Sequence, residues 1–236
     1  MTLKVVNWNI ERRSPQTWQA ASLISEIAEF VPDLVCLTEA HETSLAMFGG
    51  HTISHVGYRS AHKKPSERLV LLWSSAPWRQ VIIPEKLQNL GGLVAGITNL
   101  GGEDVLCIGL CIPYHMAKLA SEQKTRPWHH HKTFLKQAAP WLRTQIGECP
   151  VIVVGDFNQR IPRKYGSREA YDLLMQVFDS FEIITRGELA PRGGLTIDHI
   201  GLNGGLKAAR IEVRSRFSHD GRPRSDHFGI FAELRR

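Results

Sequence analysis

Val151-Ile152-Val153-Val154-Gly155-Asp156-Phe157-Asn158 is the stretch that decides how the rest of the chain is read. Four consecutive apolar residues, three of them valine, read as a short buried strand. The strand ends where Gly155 introduces a carboxylate. In extended backbone alternate side chains share a face, so Asp156 and Asn158 point one way and Phe157 points into the core. A carboxylate at a strand end is ordinarily a turn former or a helix cap. What matters is whether other strands deliver polar groups in the same manner.

Three other places do. Leu3–Ile10 reads as a first strand carrying Asn7-Trp8-Asn9, and Leu34–Glu39 as a buried strand with Glu39 at its tip. Ile197-Asp198-His199 and Ser225-Asp226-His227 sit beside the apolar runs Leu195–Gly201 and Phe228–Leu234. Between the first two strands, Ser14 is expected to cap a helix with Pro15 at its first position, and Trp18, Ile24, Ile27 and Val31 supply its apolar face. Further strands are expected at 68–73, 79–83, 93–98, 105–112 and 209–214. Helices are expected within 121–146 and from Ser167 to about Phe181. Gly91-Gly92 and Gly101-Gly102 read as hairpin turns, since no strand–glycine–helix context marks them as phosphate loops. Both halves are strand-rich with their own helices and no linker separates them. That suggests one α/β domain over residues 1–236, two sheets face to face with helices outside.

Composition narrows the classes. The 42% hydrophobic and 22% charged residues suit a globular protein, and no apolar run approaches the length of a membrane span. The N-terminus runs straight into a strand and has no signal-peptide pattern, so a cytoplasmic location is expected. Cys36, Cys107, Cys111 and Cys149 form no CxxC pair and read as packed, reduced thiols. Twenty-nine Lys and Arg against 23 Asp and Glu give a net charge of +6, which favours an anionic partner.

Taken in order, Asn-x-Asn at 7–9, Glu39, Gly-Asp-Phe-Asn at 155–158, Asp198 and Ser-Asp-His at 225–227 resemble the endonuclease/exonuclease/phosphatase superfamily. The resemblance runs from Asn7 to His227. It implies a four-layer α/β sandwich, two mixed β-sheets face to face with helices outside, and a site at one end of the sheets. It also implies hydrolysis of a phosphoester with Mg²⁺, for which Mn²⁺ is a possible substitute. Mg²⁺ takes oxygen ligands and keeps several waters, so one or two carboxylates suffice. Glu39 is then the natural main ligand, with Asp226 and the Asn9 amide oxygen beside it. Asp156 and Asn158 position the attacking water and hold a non-bridging oxygen, alongside Asn9. His227 donates to the phosphate or takes the proton from water, and the resemblance makes Asp198 its partner. The choice of base, Asp156 or His227, stays open at this level.

One position departs from the pattern. Deoxyribonuclease-like members carry a histidine, and abasic-site nucleases a tyrosine, where this chain has Cys111 in Leu110-Cys111-Ile112-Pro113-Tyr114-His115. Either Tyr114 or His115 supplies the phosphate contact, or that function is missing; the first is preferred. A thiolate nucleophile at Cys111 is not needed where a metal-activated water attacks. Arg68 is a candidate phosphate contact or a solvated strand-start arginine. His129-His130-His131 cannot converge on one ion, because helical neighbours diverge by about 100°. They read as surface, with at most one of them turned to the cleft. Arg12 and Arg13, Arg160, Arg163, Lys164 and Arg168, Arg192, and Arg214, Arg216, Arg222 and Arg224 flank the motifs and suggest a basic mouth. Trp128, Tyr114 and Tyr165 add stacking surfaces. A nucleic-acid substrate, DNA ahead of RNA, is the expected partner, and no obligate protein partner is evident. A phosphatase or phosphodiesterase acting on a small phosphoester or phospholipid head group is the alternative. An inactive binding module is a weaker third reading, since all seven core residues are present.

Overall fold

The computed structural model describes residues 2–57, 64–119, 122–147, 149–189 and 194–236. Arg192 of the expected basic mouth lies outside them. The first half runs β1 (Leu3–Asn9), α1 (Trp18–Phe30), β2 (Leu34–His41), β3 (His51–His55), β4 (Glu67–Ser74), β5 (Trp78–Ile82), β6 (Gly92–Leu100) and β7 (Glu103–Cys111). The second half runs α2 (His129–Thr144), β8 (Val151–Asp156), α3 (Arg168–Val177), β9 (Glu182–Ile183), β10 (Glu188–Leu189) and β11 (Gly194–Leu195). It closes with β12 (Asp198–Asn203), β13 (Lys207–Arg214) and β14 (Gly229–Arg235).

Two mixed six-stranded sheets form, in the orders β13-β14-β1-β2-β4-β3 and β5-β6-β7-β8-β12-β9, with β10 and β11 as a small separate pair. Their inner faces interdigitate through Val5, Cys36, Val70, Leu72, Val94, Cys107, Val154 and Ile230. Leu23, Ile24 and Ile27 of α1 cover the outer face of the first sheet, against Val6, Trp8, Leu37 and Phe231. Phe134, Leu135 and Leu142 of α2 and Leu174 and Val177 of α3 cover the second, against Ile108, Val153 and Phe157. Four layers result because each sheet carries apolar side chains on both faces and each face needs a cover.

Several local expectations change. Helix α1 starts three residues after Pro15, with Thr17 as its cap: Thr17 Oγ1 accepts from Ala20 N at 3.3 Å. Ser14 and Pro15 instead form a turn closed by Thr17 N donating to Ser14 O at 2.9 Å, with proline at the turn's second position. Val31 leaves the apolar face: it ends the helix in a left-handed conformation and is 71% exposed. Helix α3 ends at Val177, although Ser167 caps it as expected, accepting from Ala170 N at 3.2 Å. Gly101-Gly102 does turn the β6–β7 hairpin, whereas Gly91-Gly92 is buried at the start of β6. A Cβ on Gly91 would stand 2.6 Å from the Phe134 ring, so these glycines allow close packing.

Candidate active site

Strand register gathers the motifs at one end of the sandwich. In the second sheet Asp156 lies beside Cys111 of β7 on one side and Asp198 of β12 on the other. In the first sheet Asn9 pairs with Thr38, which leaves Glu39 just beyond, and the segment before β14 delivers Asp226 and His227. The Asn7 amide joins the two sheets beneath, donating to Gly155 O at 3.0 Å and His199 O at 3.2 Å. Gly155 cannot be replaced without moving β7, since a Cβ there would lie 1.8 Å from Leu110 O. Glu11, Arg12, Glu39 and Asn158 all adopt positive φ, and the β2–β4 register passes from Thr38↔Val70 to Ala40↔Arg68 across Glu39. Left-handed backbone at non-glycine residues costs energy and persists where the surroundings enforce it, as they do around functional sites.

The central contact is a dyad. His227 Nδ1 donates to Asp198 Oδ2 at 2.6 Å, which leaves Nε2 as the other functional nitrogen, 3.9 Å from Asp226 Oδ1. The backbone of this segment is pinned to β1: Ser225 Oγ donates to Asn9 O at 2.6 Å and accepts from His227 N at 3.2 Å. Trp8 Nε1 also donates to His227 O at 3.1 Å. Asp156 accepts from Asn158 N at 2.8 Å and from Asn9 Nδ2 at 3.3 Å. Asn158 Nδ2 donates in turn to Ile112 O at 2.8 Å.

Electrostatics follow from crowding three acids around one imidazole. Burial pulls the His227 pKa down, but the charge and hydrogen bond of Asp198, then Asp156 and Asp226, outweigh it and push it up to about 10. Burial and then the neighbouring Asp198 raise the Asp156 carboxyl well above the usual carboxylate range, against the lowering pull of His227. Glu39 is raised too, first by burial, with the Arg12 guanidinium opposing. Arg12 Nη1 stands 2.5 Å from Glu39 Oε2, and Arg12 N donates to Glu39 O at 2.7 Å.

A hard cation fits this donor set. Glu39 and Asp226 keep 23% and 61% of their side chains exposed at the cleft, an arrangement of oxygen donors with room for water. Arg12 shows that Glu39 attracts a positive group. Ligand atoms of Asp156, Asp198 and His227 also lie within 4.8 Å of one another. That trio suits a cation less well, because Asp198 Oδ2 and His227 Nδ1 already satisfy each other, although Asp198 Oδ1 has no partner among the described residues.

The cleft is about 310 Å³, lined by Glu39, Asp156, Asn158, Asp226 and His227 together with Cys111, Tyr114 and His115. Arg68 is not brought to it: its guanidinium is held by Glu42 and by Pro65 O. The Cys111 thiol is buried, and burial followed by the nearby Asp156 and Glu39 pushes its pKa well above the ordinary value. It is therefore a protonated packing group. Of the three consecutive histidines only His129 is exposed. His130 bonds Glu122 at 2.7 Å, and His131 is fully buried between Pro113 O and the Gln159 amide. Several arginines of the expected basic mouth are engaged by partners of their own. Arg224 is 6% exposed and pairs with Glu26 of α1, Arg214 pairs with Glu26 and Glu212, and Arg222 stacks on Trp18. Gln159 is a structural partner of the site that the motifs did not include; Asn7 and Ser225 entered only as members of Asn-x-Asn and Ser-Asp-His, and Arg12 only as a flank of the basic mouth.

The fold is shared with solved structures. An AP endonuclease from Archaeoglobus fulgidus superposes with a TM-score of 0.71 at 15% identity, over 98% of this chain and 98% of that one. D. rerio TDP2 complexed with single-strand DNA product gives 0.70 at 12% identity, over 100% and 99%. The endonuclease/exonuclease/phosphatase from Bacteroides vulgatus gives 0.71 at 14%, again over 100% and 99%. At these identities the likeness is one of fold. No curated protein matches the chain in sequence. The sequence model of the Endonuclease/Exonuclease/phosphatase family, however, matches residues 6–227, a span that begins just before Asn7 and ends on His227, and the chain belongs to that family of phosphoester hydrolases.

Proposed function

We propose that the protein is a divalent-metal-dependent phosphodiesterase that cleaves nucleic acid, with DNA preferred and Mg²⁺ as the physiological ion. The observation that carries this reading is the 2.6 Å Asp198–His227 dyad facing Asp156 across a cleft rimmed by Glu39 and Asp226. Glu39, Asp226 and the Asn9 oxygen would hold the ion, which when bound supplies charge neutralisation at the phosphoryl group.

The protein's own groups divide the remaining work. Asp198 orients the His227 ring and keeps it charged, so Nε2–H donates to a phosphoryl oxygen. Asp156 in its ionised form, made a stronger base than an ordinary carboxylate by its raised pKa, is matched to accept the proton of the attacking water. Asn9 and Asn158 orient that carboxylate through the amide and backbone N–H that bond it. Tyr114 and His115 contact the phosphate from the cleft wall; Arg68 would join them only by leaving Glu42. The named neighbours, an AP endonuclease and TDP2 with single-strand DNA, support a nucleic-acid substrate.

The test is turnover with Mg²⁺ or Mn²⁺ on single- and double-stranded DNA, abasic DNA, RNA and bis-p-nitrophenyl phosphate, beside His227→Ala and EDTA controls. Nucleic-acid cleavage lost in both controls supports the reading. Activity confined to the small phosphoester overturns the nuclease, and cleavage that survives Glu39→Ala with His227→Ala overturns the site.

A further inference from the structure

From the Tyr114 and His115 phosphate contacts, one wall of the cleft continues as a ridge of rings that reaches beyond the phosphate-handling groups. Tyr114 and His115 line the cleft, and their ring centroids are 5.9 Å apart. The next ring outward is Trp128, 5.7 Å from His115. Its position is enforced: Trp128 N donates to His115 O at 2.7 Å, its backbone is left-handed, and its ring rests edge-on against buried His131. Trp128 in turn packs on Gly166, where any Cβ would stand 2.7 Å from its ring. Tyr165 follows, 62% exposed, with the Arg160 guanidinium 4.7 Å from its ring centroid. Arg163 braces this turn, donating to Gly166 O at 3.0 Å.

Charge follows the same path. Residues 113–119, 122–131 and 158–168, which build the ridge, contain seven Lys and Arg and a single carboxylate, Glu122. That carboxylate is already engaged by His130 and by Leu119 N. Tyr114, His115 and Tyr165 are exposed rings flanked by cations and costly to leave in water, with half-buried Trp128 packed between them. They match a polyanion that also offers flat apolar faces. A duplex hides those faces in its own stack, whereas an unpaired strand presents them.

We propose that the Tyr114–His115–Trp128–Tyr165 ridge is a stacking rail for the unpaired bases of a nucleic-acid strand whose phosphate enters the cleft. The proposal rests on the nucleic-acid reading of the cleft and adds to it a requirement for single-stranded character next to the cut. Arg160 serves the rail twice, as a cation for the backbone and as a planar extension of the Tyr165 ring.

The experiment compares binding of two single strands of equal length and charge in EDTA, by fluorescence anisotropy. One is an oligodeoxynucleotide, and the other has the same phosphates with base-less tetrahydrofuran sugars; a blunt duplex is the third probe. The rail predicts that the base-bearing strand binds at least about fivefold tighter than the base-less strand, and tighter than the duplex. Tyr165→Ala and Trp128→Leu should each shrink that ratio toward one, while Tyr165→Phe, which keeps the ring, preserves it. Tyr165 is largely exposed, so its alanine variant folds even if Trp128→Leu disturbs the connection. Equal binding of the two strands, or a ratio unmoved by Tyr165→Ala, overturns the rail. If the protein cuts nucleic acid and yet shows no base preference, the rail alone falls. If it binds and cuts no nucleic acid while hydrolysing bis-p-nitrophenyl phosphate, the nucleic-acid reading falls and takes the rail with it.

Discussion

The chain contains the dipeptide Asp-His twice near its C-terminal end, at 198–199 and 226–227, and the fold uses the two in opposite ways. At 198–199 the aspartate enters the site and the histidine is packing. His199 is fully buried, its Nε2 donating to Gln159 O at 2.9 Å and its Nδ1 accepting from Thr185 Oγ1 at 2.9 Å. At 226–227 the histidine enters the site and the aspartate stays exposed at the rim. The difference is one of backbone. Asp198 and His199 are consecutive in β12 and must face opposite ways, whereas Asp226 and His227 lie in the loop before β14, where both reach the cleft. Burial then separates the two rings. The His199 pKa is pushed down to about 4, chiefly by burial, while that of His227, surrounded by carboxylates, goes up to about 10.

The sharpest way to break this contrast is kinetic. His227→Gln and Asp198→Asn should each lower turnover by ~10²–10⁴, the usual worth of a positioned acid–base group, measured where the variants remain folded. His199→Leu should act on stability instead. It leaves Gln159 O and Thr185 Oγ1 without their ring partner at a cost of about 2–4 kcal/mol, read as a lower urea midpoint, while turnover stays within about tenfold. If His199→Leu abolished activity in a protein of unchanged stability, the division of labour would be wrong.

Acid should expose the same difference. His199 and His131, both pushed down to about 4 mainly by burial, are neutral in the fold but take protons in the unfolded chain below the ordinary value of 6.5. Their folded pKa lies below the unfolded one, so stability is intact above 6.5 and is lost as pH falls toward 4. The loss is at most about 3 kcal/mol for each. His227 has the opposite sign: in the metal-free protein its contribution is present below 6.5 and is lost as pH rises through about 10. Urea titrations across that range, on wild type and His199→Gln, check the acid limb. An unchanged slope in the variant would remove His199 as a cause.

Metal removal probes the rim where Asp226 differs from buried Asp198. Mg²⁺ or Mn²⁺ at about 100 times its dissociation constant should stabilise the fold by about 2.7 kcal/mol, and EDTA should reverse it. Glu39→Gln should abolish the thermal shift and Asp226→Asn should weaken it. Arg12→Gln should strengthen it, because Arg12 is the cation that Glu39 holds in the ion's absence. A shift undiminished in Glu39→Gln would place the ion on the Asp156, Asp198 and His227 trio instead.

What was legible in the sequence, and what was not, follows the same physics. Val151–Val154 and Leu34–Glu39 announced themselves because strands buried on both faces leave apolar runs, and the groups at their ends came with them. Asp198 and His227 were legible as a pair through family resemblance, since nothing in their spacing says that 29 residues apart in sequence means 2.6 Å in space. The burial of His130 and His131 was not legible. Their partners Glu122, Pro113 and Gln159 come from other segments, and a polar triplet looks solvated until those partners are placed. Arg224 disappeared from the expected mouth for the same reason, its partner Glu26 lying on α1.

Helix starts show the limit at its finest grain, because two capping signals compete within four residues. Ser14-Pro15 has the composition of a cap followed by a first-turn proline, yet the helix begins after Thr17. Proline is equally suited to the second position of a turn, and the 2.9 Å bond from Thr17 N to Ser14 O is that turn. Thr17→Ala should therefore cost about 1 kcal/mol and Ser167→Ala, at the other well-formed cap, about the same. Ser14→Ala should cost a few tenths at most, because among the described residues the Ser14 side chain bonds only exposed Gln16 and caps no backbone N–H. Thermal melts of the three variants rank them. If Ser14→Ala proved as damaging as Thr17→Ala, the helix would have to begin a turn earlier in solution, with Pro15 at its first position after all.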